Sequence, residues 1–259
     1  MLRSTALLVC LIALSSASAC KTVSPADIAL ADSHRDLAEA KLAKGEPEIA
    51  IKEYQAAIRL NPKDAESHYG MAEAFRRKGM YQETEIELRD TLRLDPTHLE
   101  ARLALGVTYL QMERWSDAAA EFEQLALDPT FVRPTRALVN LGWAHYKSGD
   151  LERAKADFQR AIKLDAANYV AYLDLGIVYY DQSELVLAVT QFEACVKILA
   201  ERPVKVFGPV EAEARFRMAQ AYVRLGKRDE AVNSLRVAVD RGGESEWVRK
   251  STDYLKVLQ

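Results

Sequence analysis

The chain has 259 residues, with 35 Lys and Arg against 38 Asp and Glu, for a net charge of −3. No dense basic block stands out, which argues against a nucleic-acid footprint, and the chain is long enough to bury a sizeable core. Three cysteines and four histidines leave little material for a disulfide framework or a metal centre.

The first element in chain order is a leader. Met1-Leu2-Arg3 is a short basic start, Ala6 to Leu14 is an apolar run of nine residues, and Ser15 to Ala19 supplies small side chains. This is the pattern of a secretory signal peptide over residues 1–19, too short for a stable membrane span. Ala17-x-Ala19 suits an ordinary signal peptidase. Cys20 follows directly, and Ala-Ser-Ala-Cys also resembles the bacterial lipobox, with Ala17 where Leu is usual. A cysteine at that one position favours lipidation, with the thiol acylated and Cys20 as the mature N-terminus. Cys10 leaves with the leader and Cys195 falls in a helix-packing slot, so an acylated Cys20 rules out a disulfide. In bacterial lipoproteins Asp after the cysteine favours inner-membrane retention. Lys21 therefore points to the periplasmic face of the outer membrane, with residues 20–30 as a tether. No other apolar run is long enough to span a bilayer.

From Ala31 to Ser245 one motif recurs six times. Second halves read Ala50…Tyr54…Ala57, Ala118…Phe122…Leu125, Ala154…Phe158…Ala161 and Ala231…Leu235…Ala238. First halves read Leu105-Gly106-x2-Tyr109, Leu141-Gly142-x2-His145, Leu175-Gly176-x2-Tyr179 and Met218-Ala219-x2-Tyr222. Unit starts at Ala31, Ala65, Leu99, Thr135, Tyr169 and Ala212 give steps of 34, 34, 36, 34 and 43. Apolar residues recur at helical spacing in each unit, and the expected turns fall on Gly45, Gly79, Glu113, Gly149, Ser183 and Gly226. Asn61-Pro62, Asp95-Pro96 and Asp128-Pro129 punctuate the units, because proline cannot continue a helix.

This is the tetratricopeptide pattern, a helix–turn–helix of 34 residues. The expected fold is all-α: a superhelical solenoid of six tetratricopeptide repeats over 31–245. Residues 246–259, with Trp247, Val248, Leu255 and Leu258 at helical spacing, form a C-terminal capping helix. Two extra residues near Phe131–Pro134, and nine around residues 203–210, are expected in loops.

The first helix of each unit lines a concave groove. Units one and two place mainly polar residues there, such as Asp32, Arg35, Glu73 and Arg76. From unit three an apolar and aromatic stripe begins: Leu103, Val107 and Leu110, then Val139, Trp143 and Tyr146, then Leu173, Ile177 and Tyr180, then Phe216. Exposed apolar patches of this kind mark binding sites, and an amphipathic helix is the natural occupant. Packing against neighbouring units is the competing role for some of these side chains. Asn140 occupies one slot of the carboxylate clamp used by chaperone-binding relatives, but the basic partners do not line up.

No phosphate-cradling glycine loop, nucleophile elbow or His-Glu-x-x-His is present. His34 and His68 hold the same slot in adjacent units without further ligands at metal spacing. The expectation is a monomeric interaction protein with no catalytic residue, metal or cofactor.

Cys20 followed by six such units resembles the pilotin lipoproteins of type IV pili. Pro134 to Trp143 resembles the start of that family's fourth unit, and Ala212 to Tyr222 its last. The resemblance implies an outer-membrane lipoprotein that binds secretin subunits and promotes their outer-membrane localisation and multimer assembly, as required for pili and pilus-driven motility. The alternatives are a scaffold lipoprotein of the outer-membrane β-barrel assembly machinery and an accessory subunit of an envelope enzyme.

Overall fold

The computed structural model describes residues 23–200 and 202–258. The leader and Cys20 lie outside the described residues. Among the described residues the chain forms thirteen helices and no strand.

The helices pair in six hairpins. These are α1 (Pro25–Ala43) with α2 (Pro47–Leu60), α3 (Ala65–Arg77) with α4 (Tyr81–Leu94), α5 (Leu99–Gln111) with α6 (Trp115–Leu127), α7 (Pro134–Lys147) with α8 (Leu151–Leu164), α9 (Tyr169–Asp181) with α10 (Leu185–Ala200), and α11 (Val204–Arg224) with α12 (Arg228–Arg241). A single helix, α13 (Glu246–Leu258), closes the array. Each helix packs on the next in the chain, and successive first helices also touch, which is the stacking of a solenoid.

The turns sit where the spacing put them. Gly45, Gly79, Gly149 and Gly226 have φ of 77°, 72°, 86° and 74°. Glu113 and Ser183, the non-glycine members, are driven to 57° and 63° all the same. Left-handed backbone is costly for a residue with a Cβ, so hairpin geometry overrides local preference here.

The core follows the repeat. Tyr54, Phe122, Phe158 and Phe192 are almost fully buried, and Leu88 and Leu235 hold the same slot in units two and six. In units three to five each phenylalanine ring packs against a glycine of its own hairpin. A Cβ on Gly106, Gly142 or Gly176 would come 2.7, 2.8 or 2.5 Å from the ring. The phenylalanine and the missing side chain are therefore one packing device.

The structure corrects two boundaries. The tether expected over 20–30 is helical from Pro25 onward. Ser24 caps α1 and Asp27 reaches back to it in a capping box, so local chemistry starts the helix six residues early. The insertion around 203–210 is no loop. Pro203 caps α11, which runs through Gly208 and Pro209. Tertiary contacts hold this extension: Phe207 meets Tyr169 edge-on at 5.7 Å, and a Cβ on Gly208 would clash with the Arg241 carbonyl. Glu211, 2% exposed, accepts from Arg215 at 2.9 Å and Arg241 at 3.0 Å, tying α11 to α12. The two extra residues near 131–134 do lie in a connection, with Phe131 buried and Pro134 opening α7.

The capping helix covers the last hairpin. Tyr254, Leu255 and Leu258 pack on the cluster of Ala219, Ala231 and Leu235. Among the described residues no helix is long and apolar enough to cross a membrane.

Candidate binding groove

Residues of α5, α7, α9 and α11 carry the stripe. The structure splits it into two groups. Leu103, Leu173 and Ile177 are only 4%, 6% and 5% exposed and belong to the core between hairpins. Their expected role as docking residues is corrected: each lies on the flank of its helix that the neighbouring hairpin covers. Val107, Leu110, Val139, Asn140, Trp143, Tyr146, Tyr180 and Phe216 keep partial exposure. These eight form the accessible lining.

Aromatics dominate its C-terminal half. Trp143 and Tyr146, one turn apart on α7, lie 5.2 Å apart between ring centroids. Arg224 stacks over Tyr180 at 4.8 Å and donates to the Ser183 hydroxyl at 2.9 Å, holding the ring across two units. Phe216 touches Trp247 at 5.6 Å and Tyr254 at 5.9 Å, so the cap supplies two more rings. The sequence reading did not assign Trp247 and Tyr254 to the groove, though a seventh step of 34 residues from Ala212 begins at Glu246, the first residue of α13.

Polar groups sit among these rings. The Tyr146 hydroxyl donates to Asp181 at 2.7 Å, and burial with that carboxylate pushes its pKa up to about 12. Arg217 donates to Glu213 at 2.7–2.8 Å and stacks on Trp247 at 5.2 Å. Asp174 lies between α7 and α11, half-buried. Burial first, then the Glu213 charge, pushes its carboxyl up to about 7, with Arg217 acting weakly the other way.

The N-terminal half differs. Tyr69, Glu73, Arg76, Glu100 and Arg136 ring a pocket of about 210 Å³ floored by Leu103, Ala104 and Val107. The mixed charge matches the polar character read for units one and two.

His34 and His68 each pair with a glutamate of the same hairpin. His34 Nδ1 lies 2.7 Å from Glu53, and His68 Nδ1 lies 2.7 Å from Glu87. Glu87 also raises the pKa of His68. His68, Glu87 and Asp90 have potential ligand atoms within 4.8 Å of one another, a grouping the sequence reading missed. Arg102 and Glu121 make the same 19-residue pairing in unit three at 2.9 Å, and Asp90 is engaged by Arg93. An arginine cannot ligate a metal, so the recurring pair is read as a hairpin brace. Cys195 is fully buried, and burial pushes its thiol up to about 12, which marks an unreactive packing residue.

Family models for tetratricopeptide repeats match residues 38–79, 87–130, 135–168 and 213–241. The chain belongs to the tetratricopeptide-repeat family. Proteins of this family are typically interaction scaffolds that bind peptides or proteins. Among solved structures, PilW, a widely conserved type IV pilus biogenesis factor, superposes with a TM-score of 0.70 at 17% identity, covering 86% of this tetratricopeptide chain and 98% of PilW. PilF of Pseudomonas aeruginosa gives 0.66 at 16% identity, covering 88% and 99%. YrrB, a tetratricopeptide protein with an unusual peptide-binding site, gives 0.54 at 20% identity, covering 77% and 97%. A curated relative, stress-induced-phosphoprotein 1 of Caenorhabditis elegans, is 30% identical over 112 residues, 43% of this chain. The match spans 30% of that relative's own length.

Proposed function

We propose that this protein is a lipid-anchored assembly factor of the type IV pilus machine. It binds secretin subunits in the groove of α5, α7, α9 and α11 and promotes their localisation to the outer membrane and assembly into a multimer. Cys20 is the acylated anchor, and the solenoid hangs from it on the periplasmic face of the outer membrane.

The observation that carries this reading is the aromatic groove on a six-hairpin scaffold that matches nearly the full length of PilW and PilF. Trp143, Tyr146 and Tyr180 combine rigid apolar area with polar edges, the composition of interface hot spots. An amphipathic helix laid across three hairpins can bury its apolar face against them.

The test is a deletion strain assayed for heat-resistant secretin multimer in isolated outer membranes. Loss of multimer with accumulation of monomer is expected. Trp143→Ala with Tyr180→Ala should fold and stay in the membrane but fail to restore the multimer. Cys20→Ala should move the protein out of the membrane fraction. Normal multimer in the deletion strain sinks the secretin assignment, and the groove would then serve another envelope complex.

A further inference from the structure

Asp174, half-buried on α9, has no dedicated counter-charge among the described residues. It makes no hydrogen bond or ion pair with any described residue. The groups facing it are Glu213 and Arg217 from α11, Tyr146 from α7 and the Cys195 thiol from α10. Arg217, the only cation among them, is already committed. Glu213 holds it at 2.7 Å and its guanidinium lies over Trp247. Tyr146 spends its hydroxyl on Asp181.

A carboxylate drawn into protein surroundings without a partner is unfavourable, and a segment that brings a cation to it recovers that loss. The same cation lands near Tyr146, which feels the Asp174 charge and whose ring face attracts positive charge. We propose that the groove selects an amphipathic helical segment whose apolar face carries one Lys or Arg, placed to pair with Asp174. This rests on the groove reading and adds the chemistry of the occupant. Apolar residues of the segment cover Val139, Trp143 and Tyr180. The cation sets register, because the neighbouring carboxylates Asp181 and Glu213 are already engaged by Tyr146 and Arg217 and leave Asp174 as its acceptor.

A library of displayed helical peptides, selected at pH 8 on the full mature protein, tests this. Binders are counter-screened against Trp143→Ala/Tyr180→Ala, so that only groove-dependent peptides are kept. The expected enrichment is a single basic position within an apolar face. A selected peptide should bind about tenfold more tightly than its Lys→norleucine version, and Asp174→Asn should erase that difference while still binding the norleucine peptide. Groove-dependent peptides without a basic preference, or a preference that survives in Asp174→Asn, overturn the pairing and leave the groove standing. If selection yields no groove-dependent peptide, the groove reading fails and the pairing with it. Comparing the two peptides on the unmodified protein keeps the question answerable even if Asp174→Asn misfolds.

Discussion

Gly176 and Phe192 form a pair whose energetics the repeat itself lets one work out. Units three, four and five combine glycine with phenylalanine at these two slots, and units two and six combine Ala72 with Leu88 and Ala219 with Leu235. In Gly176→Ala the new methyl would begin 2.5 Å from the Phe192 ring, while carbon atoms pack best at about 3.5–4.0 Å. The ring must therefore move by roughly 1 Å. It has nowhere to go, being fully buried in the cluster with Cys195, Ala214 and Met218. Overpacking of this kind costs about 1–3 kcal/mol, and the gain from replacing a helical glycine returns about 0.5–1 kcal/mol. A net loss of about 1–2 kcal/mol is expected for Gly176→Ala. Phe192→Leu alone leaves a void and costs a comparable amount, roughly 1–2 kcal/mol. Together the two changes recreate the alanine–leucine pair of units two and six. The double variant should then be no less stable than Phe192→Leu alone, a favourable coupling of about 1–2 kcal/mol. Urea unfolding of the four proteins, followed by circular dichroism, measures this. If the two effects add within about 0.5 kcal/mol, the pairing argument is wrong.

Three further outcomes follow from single features. Glu113→Gly removes a left-handed strain of about 1–2 kcal/mol at φ 57° and adds chain entropy to the unfolded state, so a net gain of about 0.5–1 kcal/mol should appear as a higher unfolding midpoint. The Asp174 carboxyl titrates near 7 when folded against an ordinary 3.8, so the folded state holds the extra proton between those values. Stability from this group is full below about pH 4 and is lost as pH rises toward 7, and Asp174→Asn should gain roughly 1–2 kcal/mol at pH 8, after allowance for partial exposure, and little at pH 4. An equal effect at both pH values would show that the carboxyl is not perturbed by folding. Ending the chain before Ser245 uncovers the Leu235 cluster, and light scattering should report association of the truncated protein, because an uncapped repeat exposes its stacking face.

The hairpins were legible because each is set by contacts within about 34 residues. The turn at Ser183 was placed by register alone, against the preference of its side chain, and the backbone obeys the register. The α11 extension was not legible for the opposite reason. A stretch holding Gly208 and two prolines reads as a loop by local chemistry. What keeps it helical is distant: Tyr169 for Phe207, the Arg241 carbonyl for Gly208, and the Arg241 guanidinium for Glu211. No spacing within one unit could reveal those partners.

The groove divides along the same line. Periodicity put Leu103, Trp143 and Ile177 on one helix face, but whether each is solvated depends on the helix stacked beside it. Leu103 and Ile177 are covered, and Trp143 is partly open. The polar groups were harder still, because their partners sit in other hairpins: Tyr146 with Asp181, Arg224 with Ser183. In an array of identical units such cross-unit contacts would repeat and could be read from any one of them. Here one does recur, Arg77 on the Leu42 carbonyl matching Arg224 on the Tyr180 carbonyl, whereas the Tyr146–Asp181 bond is made once among the described residues, in the half of the array where the insertion also breaks the regular step. A repeat that only needed to stack would have no reason to place an unpaired carboxylate at Asp174 near Tyr146. The departures from the repeat, more than the repeat itself, locate the surface where a partner is selected.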